Sequence, residues 1–287
     1  MATVAPLIVI VGPTASGKSS LAVDLAERFN GEIICADSRT IYTHLSIGTA
    51  KPSAKDQARV PHWGIDLIEP GEAYSAADFQ AYAVQKIQDI RARGKVPFLV
   101  GGSGLYVDAV ILEYQFGPAA NPTERSRLEA MTIEQLLLYC AKNNIPIPNN
   151  SHNKRYIIRA IEQKSINTKR RSTPVDSTIV VGIATDTEQL KARIVSRAKN
   201  LFAQGMLEEA LAAGERFGWD SEAMTGNIYR LARRYQQGEL SIQEVQDAFI
   251  AADWQLARRQ RTWFKRHDFI HWLPLDEADR FIAQHLA

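Results

Sequence analysis

The sequence predicts an α/β protein in which a parallel sheet is flanked by helices, with a small all-helical insertion and a helical C-terminal part. Short apolar runs alternate with segments of helical periodicity over roughly the first hundred residues, which is typical of a parallel sheet with helices on both faces. From about residue 117 to residue 175, helical patterns occur without a convincing strand. Strand character returns at Ile179 to Ile183, so the sheet is expected to resume there.

The strands of the predicted sheet are short and apolar. Leu7 to Val11, Ile33 to Ala36 and Val96 to Val100 are runs of β-branched or other apolar residues. Between the second and third of these runs, Ser75 is the expected N-cap of a helix that ends at Gly94. These elements predict one domain formed by residues 1–116 and 176–287, interrupted by an insertion at residues 117–175.

Helices dominate the rest of the chain. Within the insertion, Thr132 and Gln135 form a capping box for one helix. After the returning strand, three glycines are expected to separate helices, and the last long helix should run from about Ile242 to Arg266. Phe269 to Leu273 is interpreted as a closing strand. The three glycines are Gly214, Gly218 and Gly238.

Length and composition restrict the classes of protein to consider. A chain of 287 residues can bury a substantial core. The formal net charge is only +2, so a nucleic-acid partner would have to bind local basic patches. The two cysteines, Cys35 and Cys140, lie far apart and argue for a reducing compartment and against a cysteine-based zinc site. No run approaches the length of a membrane span and no signal peptide is evident, so a cytoplasmic protein is expected.

The stretch between the first strand and the first helix carries the clearest chemistry. It matches the P-loop pattern G-x-x-x-x-G-K-[ST] without a mismatch. Its glycines let successive backbone N–H groups point at phosphate oxygens, and the helix start adds the positive end of a dipole. Lys18 adds a full charge, and the Ser19 hydroxyl is a ligand for Mg²⁺. A P-loop NTPase-like sheet that binds phosphate or diphosphate is therefore predicted, through Gly12, Pro13, Thr14, Ala15, Ser16, Gly17, Lys18 and Ser19.

A carboxylate follows the second predicted strand. Asp37 comes directly after the apolar run, and open α/β sheets bind their ligands at the carboxyl ends of strands. Beside a P-loop, such an acid is either a carboxylate associated with Mg²⁺ or a general base on an acceptor nucleophile. The residues alone leave both roles open.

Two groups of basic residues are candidates for anion binding. Arg193 and Arg197 lie one helical turn apart, either on a solvated face or as a clamp on a diphosphate. The last long helix carries Trp254, Arg258, Arg261 and Lys265 on one face, with Phe249, Leu256 and Trp263 expected on the buried opposite face. A basic face with an aromatic residue suits an RNA backbone and an unstacked base, although an isolated basic helix is more often merely solvated. A second basic region at residues 154–171 makes RNA binding and a solvated face equal alternatives.

The combination of these motifs resembles one family, the tRNA dimethylallyltransferases, which prenylate adenosine 37 next to the anticodon. A P-loop alone occurs in many protein classes, whereas the ordered set of matching segments is specific and is spread over nearly the whole chain. The segments are Gly12 to Ser19, Asp37-Ser38 with Ile41-Tyr42, Ile47 to Pro52, Pro61-His62 with Ile65-Asp66, Tyr74 to Phe79, Gly101 to Tyr106, Arg159 to Glu162, and Arg258 to Phe264.

The resemblance implies a role for each candidate residue. The P-loop would hold the diphosphate of dimethylallyl diphosphate, with Mg²⁺ as cofactor at Ser19 and with Arg193 and Arg197 as further contacts. Asp37 would be the general base on N6 of the target adenine, and the insertion would be a lid over the anticodon loop. The implied catalytic residues are Asp37, Arg197 and Ser19. The implied tRNA contacts are Asp37, Ser38, Arg39, Thr40, Ser103, Arg125, Arg155, Arg159, Arg258, Arg261 and Lys265.

The implied reaction is transfer of a dimethylallyl group to adenosine 37 of tRNA, which gives N6-isopentenyladenosine and diphosphate, by a protein expected to be monomeric. One rival is a small-molecule kinase that uses ATP at the P-loop, but it leaves the basic helix unexplained. Another is an adenylate isopentenyltransferase acting on free AMP, which should not need the insertion. A non-catalytic RNA-binding protein is a third, against which the intact Lys18, Ser19 and Asp37 argue.

Overall fold

The computed structural model describes residues 4–117, 121–163 and 170–287. Of the basic region predicted at residues 154–171, Lys164 and Lys169 lie outside the described residues.

The chain divides into two compact units. One comprises Met1–Val110 and Asp176–Ala287, and the other comprises Ile111–Val175. The boundary expected from the sequence, at residue 117, lies a few residues after Ile111, where the second unit begins in the structure. That offset arises because no turn signal marks the end of the helix at Ile111, and the glycine at position 117 lies beyond it.

The first unit is built on a parallel sheet, as the alternation of strands and helices predicted. Among the described residues the sheet has six strands, in the order β3-β2-β4-β1-β5-β6, and every pair is parallel. The short β3 lies at one edge and β6 at the other. The strands are β1 (Leu7–Val11), β2 (Gly31–Cys35), β3 (His62–Trp63), β4 (Val96–Gly101), β5 (Thr178–Ile183) and β6 (His271–Leu273).

Helices cover the sheet and form the rest of both units. None of those described is long and apolar enough to cross a membrane. A 3₁₀ turn, Glu222–Thr225, precedes the tenth helix. The helices are α1 (Lys18–Arg28), α2 (Ala54–Arg59), α3 (Ala76–Ala92), α4 (Gly104–Ile111), α5 (Pro122–Ala130), α6 (Ile133–Lys142), α7 (Lys154–Gln163), α8 (Thr187–Ala203), α9 (Met206–Phe217), α10 (Asn227–Gln236), α11 (Ile242–Phe264) and α12 (Leu275–Leu286).

The register of the central strands brings their carboxyl ends to one level. Val11 of β1 is opposite Gly101 of β4 on one side and Gly182 of β5 on the other, and Cys35 of β2 is opposite Val100. The loops that follow β1, β2 and β4 therefore begin side by side at the same edge of the sheet. Ligands bind at this edge in open α/β folds, so the register determines which residues can share a site.

The helical part differs from the sequence prediction at Gly214, which does not end a helix but lies inside α9. A Cβ at Gly214 would lie 2.1 Å from the ring of Trp219, so the glycine is required for close packing of that indole and not for a turn. Gly218, by contrast, is the C-cap of α9, with φ +76°. The helix α12 was not recognised in the sequence.

The buried face of α11 is also different from the expected one. Its buried residues include Phe249, Asp253, Ala257 and Phe264, whereas Leu256 and Trp263 are only partly buried. The expected buried face was chosen from residues spaced seven apart. Because an α-helix has 3.6 residues per turn, residues at that spacing shift gradually around the helix and do not stay on one face over four turns. The observed buried face of α11 includes an acid, Asp253, whose burial the sequence pattern did not indicate.

The second unit has a small core of its own. Its helices α5, α6 and α7 pack around Leu128, Leu136, Cys140, Ile157 and Ile161, which are at most 3 % exposed. The predicted capping box at the start of α6 is present. No strand is found in the part of this unit that the structure describes.

A buried carboxylate stabilises the amino edge of the sheet, opposite the candidate site. Glu32 of β2 is 1 % exposed and accepts hydrogen bonds from Arg93 and from Lys95 and Trp63, both at 2.8 Å. The hydrogen bonds from Arg93 are the largest cause that lowers the pKa of Glu32 to about 2, with Lys95 and Trp63 adding to this effect against the opposing effect of burial.

Glu32→Gln should lower the free energy of unfolding at pH 7 by about 3 kcal/mol, because the cations lose their buried partner. The pKa of Glu32 is depressed in the folded protein, so its stabilising contribution is present above the unfolded pKa and is lost as the pH falls towards 2. Urea unfolding of both proteins between pH 7 and pH 2.5 should show the difference shrinking below about pH 4.5. A difference that stays constant with pH would contradict this assignment.

Candidate active site

The P-loop has the backbone conformation that its sequence pattern predicts. Gly12 and Gly17 adopt φ of +153° and +94°, which only glycine adopts without strain, and Gly17 is the N-cap of α1. Ala15 also has a positive φ, +60°. The loop is closed by a hydrogen bond from the Ser16 amide to the Pro13 carbonyl, 3.2 Å long. The Ser16 hydroxyl is buried and has no hydrogen-bond partner among the described residues.

Lys18 is the central cation of this loop. Its ammonium donates to the Pro13 carbonyl at 3.2 Å. Burial lowers the pKa of Lys18 to about 8, the negative charge of Asp37 opposes this shift, and the positive charge of Arg197 adds to it. Asp37 and Arg197 are therefore close enough to Lys18 to change its proton affinity, although the three residues are far apart in the sequence.

Asp37 is held by the turn that follows β2. Its Oδ1 accepts the Arg39 amide at 2.8 Å, and its carbonyl accepts the Thr40 hydroxyl at 3.3 Å. The other carboxylate oxygen accepts no hydrogen bond from the described residues. Asp37 is half-buried, so one oxygen is fixed by the backbone while the other remains available to a ligand.

The loop after β4 is tied to the Asp37 turn. The Ser103 hydroxyl accepts the Ser38 amide at 2.9 Å, and the Ser103 amide donates to the Ala36 carbonyl at 3.2 Å. A Cβ at Gly101 would lie 2.0 Å from that same carbonyl oxygen, so glycine is needed for this close approach. The predicted site residues Ser38 and Ser103 thus lie beside Asp37.

Arg193 and Arg197 of α8 both reach the P-loop. Nη1 of Arg193 donates to the Ser16 carbonyl at 3.1 Å, and Nη1 of Arg197 donates to the Thr14 hydroxyl at 2.7 Å. The structure therefore places both arginines at the loop and not on a solvated helix face. Arg197 also forms a 3.0 Å ion pair with the buried Asp253 of α11.

The basic face of α11 is partly as expected. Arg258 and Lys265 are exposed and have no ion-pair partner among the described residues, whereas Arg261 is half-buried and donates to the Thr187 hydroxyl at 3.4 Å. Trp254 does not present a free ring, because it packs against the cluster that contains Ile194 of α8. Trp254 is only partly buried, so part of its side chain also remains exposed.

Within the second unit, the arginines predicted to bind RNA have intramolecular contacts. Arg125 of α5 forms a two-pronged hydrogen bond to the buried Glu162, with both distances 2.7 Å, and Arg159 lies 3.5 Å from the same carboxylate. Arg125 therefore helps to hold α5 against α7. Arg39 in the first unit donates to the Glu222 carbonyl at 2.9 Å.

The donors present restrict how Mg²⁺ could bind. No group of three His, Cys, Asp or Glu side chains suited to a metal lies within residues 4–117, 121–163 and 170–287. Ser19 is exposed in the first turn of α1 and donates no intramolecular hydrogen bond among those residues. A hydroxyl at this position fits an ion that takes its remaining ligands from a diphosphate and water, which is how Mg²⁺ commonly binds.

Several residues of the site were not predicted from the sequence. The Oε1 of Gln260 accepts the Thr14 amide at 2.8 Å and so attaches α11 to the P-loop. Glu209 of α9 accepts the amides of Ser46, Ile47 and Gly48 at 2.8–2.9 Å and fixes the loop after Tyr42. Such partly buried polar residues show no periodicity or charge run, so only their position in the fold identifies them.

Comparison with known proteins agrees with this geometry. The family model for IPP transferase matches residues 40–267, and the model described as isopentenyl transferase matches residues 5–63. A tRNA dimethylallyltransferase from Roseiflexus is 40 % identical over 96 % of this chain and 94 % of its own. One from Pelotomaculum thermopropionicum is 36 % identical over 98 % and 95 %.

A solved structure shows the same arrangement over the whole chain. The full-length tRNA isopentenylpyrophosphate transferase from Bacillus halodurans is 33 % identical, covers 98 % of this chain with 96 % of its own, and superposes with a TM-score of 0.75. With sequence and fold in agreement over nearly the full length, the chain belongs to the IPP transferase family.

Proposed function

We propose that this protein transfers the dimethylallyl group of dimethylallyl diphosphate to N6 of adenosine 37 in tRNA. One observation carries the proposal. Asp37 lies close enough to Lys18, at the carboxyl edge of the sheet, for its negative charge to raise the pKa of the ammonium, so a cation suited to a leaving diphosphate lies near a carboxylate suited to an attacking amine. Full-length similarity to tRNA-modifying enzymes supports an RNA acceptor over free AMP.

The P-loop would bind the donor. The dipole of α1, Lys18 and the two arginines of α8 are positive and meet at the loop. These groups favour the diphosphate most when the bond from C1 of the dimethylallyl group to the diphosphate oxygen breaks, because negative charge then increases on that oxygen. Mg²⁺ at Ser19 would add neutralising charge to the same group.

Asp37 would act on the acceptor. The lone pair of N6 attacks C1, the diphosphate leaves with the electrons of the C1–O bond, and the amine proton goes to the free oxygen of Asp37. The adenine must first leave the stack of the anticodon loop, which costs a few kcal/mol and is least costly for an unpaired base. Ser38 and Ser103, which are hydrogen-bonded to each other beside Asp37, would contact such a base.

Exposed cations would bind the RNA backbone. Arg258 on α11 and Lys265 at its C-cap have no ion-pair partner in the part of the chain that the structure describes, and the same helix reaches the P-loop through Gln260. The insertion arginines Arg125, Arg155 and Arg159 would add contacts from the second unit. A protein with these substrates is expected in the cytoplasm, where tRNA is modified, and as a monomer.

Transfer of labelled dimethylallyl diphosphate to two acceptors tests the proposal. An anticodon stem-loop with adenosines at positions 36 to 38 should become labelled, and AMP should not. Label in AMP would favour the rival function, an adenylate isopentenyltransferase. Turnover of ATP without label in either acceptor would favour a kinase.

Asp37→Asn should reduce the rate of transfer by about a hundredfold to ten-thousandfold, because the amide does not accept the amine proton. Affinity for the stem-loop should change little. Asp186→Asn is a matched control, since Asp186 also accepts backbone amides at this edge, as the N-cap of α8, and asparagine caps helices equally well. If Asp37→Asn kept a rate within threefold of the wild type, the general-base role would be wrong.

The pH profile should report Lys18. With the pKa of Lys18 near 8, kcat/KM for dimethylallyl diphosphate should lose half of its maximum near pH 8 and fall about tenfold per unit at higher pH, as the ammonium loses its proton. In Lys18→Arg the group stays protonated, so this alkaline limb should disappear even though the absolute rate is lower. A limb that persists in Lys18→Arg would have to come from another group.

Salt dependence should identify the RNA-binding face. Replacing Arg258 and Lys265 by alanine should weaken stem-loop binding and lower the slope of log K against log salt concentration by about two. Replacing Lys55 and Arg280, two exposed cations on α2 and α12, is the control and should leave the slope unchanged. Equal slopes for the wild type and the α11 variant would remove that helix from the RNA interface.

A further inference from the structure

We propose that Asp253 is a positioning residue that orients Arg197 for the diphosphate, and that Asn227 holds Asp253 in place. The inference rests on the proposed function of the P-loop site. It assigns a role to two residues on α10 and α11 that neither the motif nor the basic face of α11 contains. The contacts form one chain, from α10 through α11 and α8 to the P-loop.

The geometry of the chain is continuous. Nδ2 of Asn227 donates to Oδ1 of Asp253 at 3.0 Å, and Oδ2 of Asp253 accepts Nη1 of Arg197 at 3.0 Å. The same Nη1 donates to the Thr14 hydroxyl at 2.7 Å. Both oxygens of the carboxylate are therefore used, one for its own anchor and one for the arginine.

Burying the Asp253 carboxylate costs free energy, so its presence at this position indicates that it has a role. Asp253 is 5 % exposed and lies on the buried face of α11 between Phe249 and Ala257, where an apolar residue would be the ordinary choice. Taking a carboxylate out of water requires paired charge and satisfied lone pairs, and such pairs are often no more stable than apolar replacements. Burial raises the pKa of Asp253, whereas Arg197 and Asn227 lower it.

The contacts leave the ligand-binding part of Arg197 available. A guanidinium has five N–H donors, and both described hydrogen bonds of Arg197 use Nη1. Nε and Nη2 remain for two oxygens of a diphosphate, in the planar geometry that arginine offers to phosphate groups. The side chain is 32 % exposed, so a ligand can reach it. By binding Nη1, Asp253 fixes the orientation of the guanidinium plane, and it thereby sets the direction in which Nε and Nη2 point.

A double-mutant cycle on diphosphate binding tests the proposal without requiring an acceptor. Calorimetric titration with inorganic diphosphate would be carried out on the wild type, Asp253→Asn, Arg197→Ala and the double variant. We expect Asp253→Asn to weaken binding about tenfold and Arg197→Ala about a hundredfold, with the double variant no weaker than Arg197→Ala, because Asp253 acts only through Arg197. Asn227→Ala should weaken binding about threefold through the same chain.

In the transfer assay, Asp253→Asn should raise the KM for dimethylallyl diphosphate by a similar factor and leave the KM for the stem-loop unchanged. Glu32→Gln is the control for loss of a buried acid, since Glu32 lies at the opposite edge of the sheet; it should lower the unfolding midpoint without changing diphosphate binding.

Unchanged or tighter diphosphate binding by Asp253→Asn would overturn the inference, as would a further tenfold loss when Asp253→Asn is added to Arg197→Ala. Either result would leave the proposed function intact if the wild type still labels the stem-loop. A wild-type protein that binds no diphosphate would overturn the inference and the proposed function together.

Discussion

The carboxyl edge of the sheet depends on one constraint, the presence of the Lys18 ammonium beside a loop of backbone amides. A buried cation is stable only where acceptors or opposite charges surround it. The Pro13 carbonyl and Asp37 supply these, while Arg193 and Arg197 add further positive charge at the same loop. The cluster keeps an excess of positive charge that an anionic ligand can complete. Burial is the main cause that lowers the pKa of Lys18, and the positive charge of Arg197 adds to it.

Because of the order of the strands, the P-loop and the Asp37 turn form two separate ends of one site. The strand β4 lies between β1 and β2, and the three strands end at one level, so the P-loop and the Asp37 turn are held on either side of the loop that carries Ser103. In a prenyl diphosphate the reactive carbon C1 is bonded to the diphosphate oxygen, so the nucleophile must approach C1 from the side away from the diphosphate. A sheet that separates a cationic loop from a carboxylate by one strand therefore suits a reaction in which diphosphate leaves as a nucleophile attacks.

The parts of this account that the sequence predicted are local in the chain. The P-loop and the position of Asp37 after β2 follow from short runs whose meaning does not depend on distant residues, and the matching segments identified the family. The contacts of Asp253 with Arg197 and of Gln260 with Thr14 join residues more than fifty positions apart, so no local pattern in α11 indicates them. Gly214 was misinterpreted for a related reason, because its partner Trp219 can be found only once the helix ends are known.

The central claim is that the diphosphate and the target amine bind at opposite ends of one site, at Lys18 and Asp37. A crystal structure with an unreactive thio analogue of dimethylallyl diphosphate and an anticodon stem-loop would test it most directly. We expect the diphosphate oxygens to lie about 3 Å from the Lys18 ammonium and from Arg197. We expect N6 of the adenine to lie about 3 Å from the free oxygen of Asp37. An adenine bound with N6 turned away from Asp37, or a diphosphate bound outside the P-loop, would contradict it.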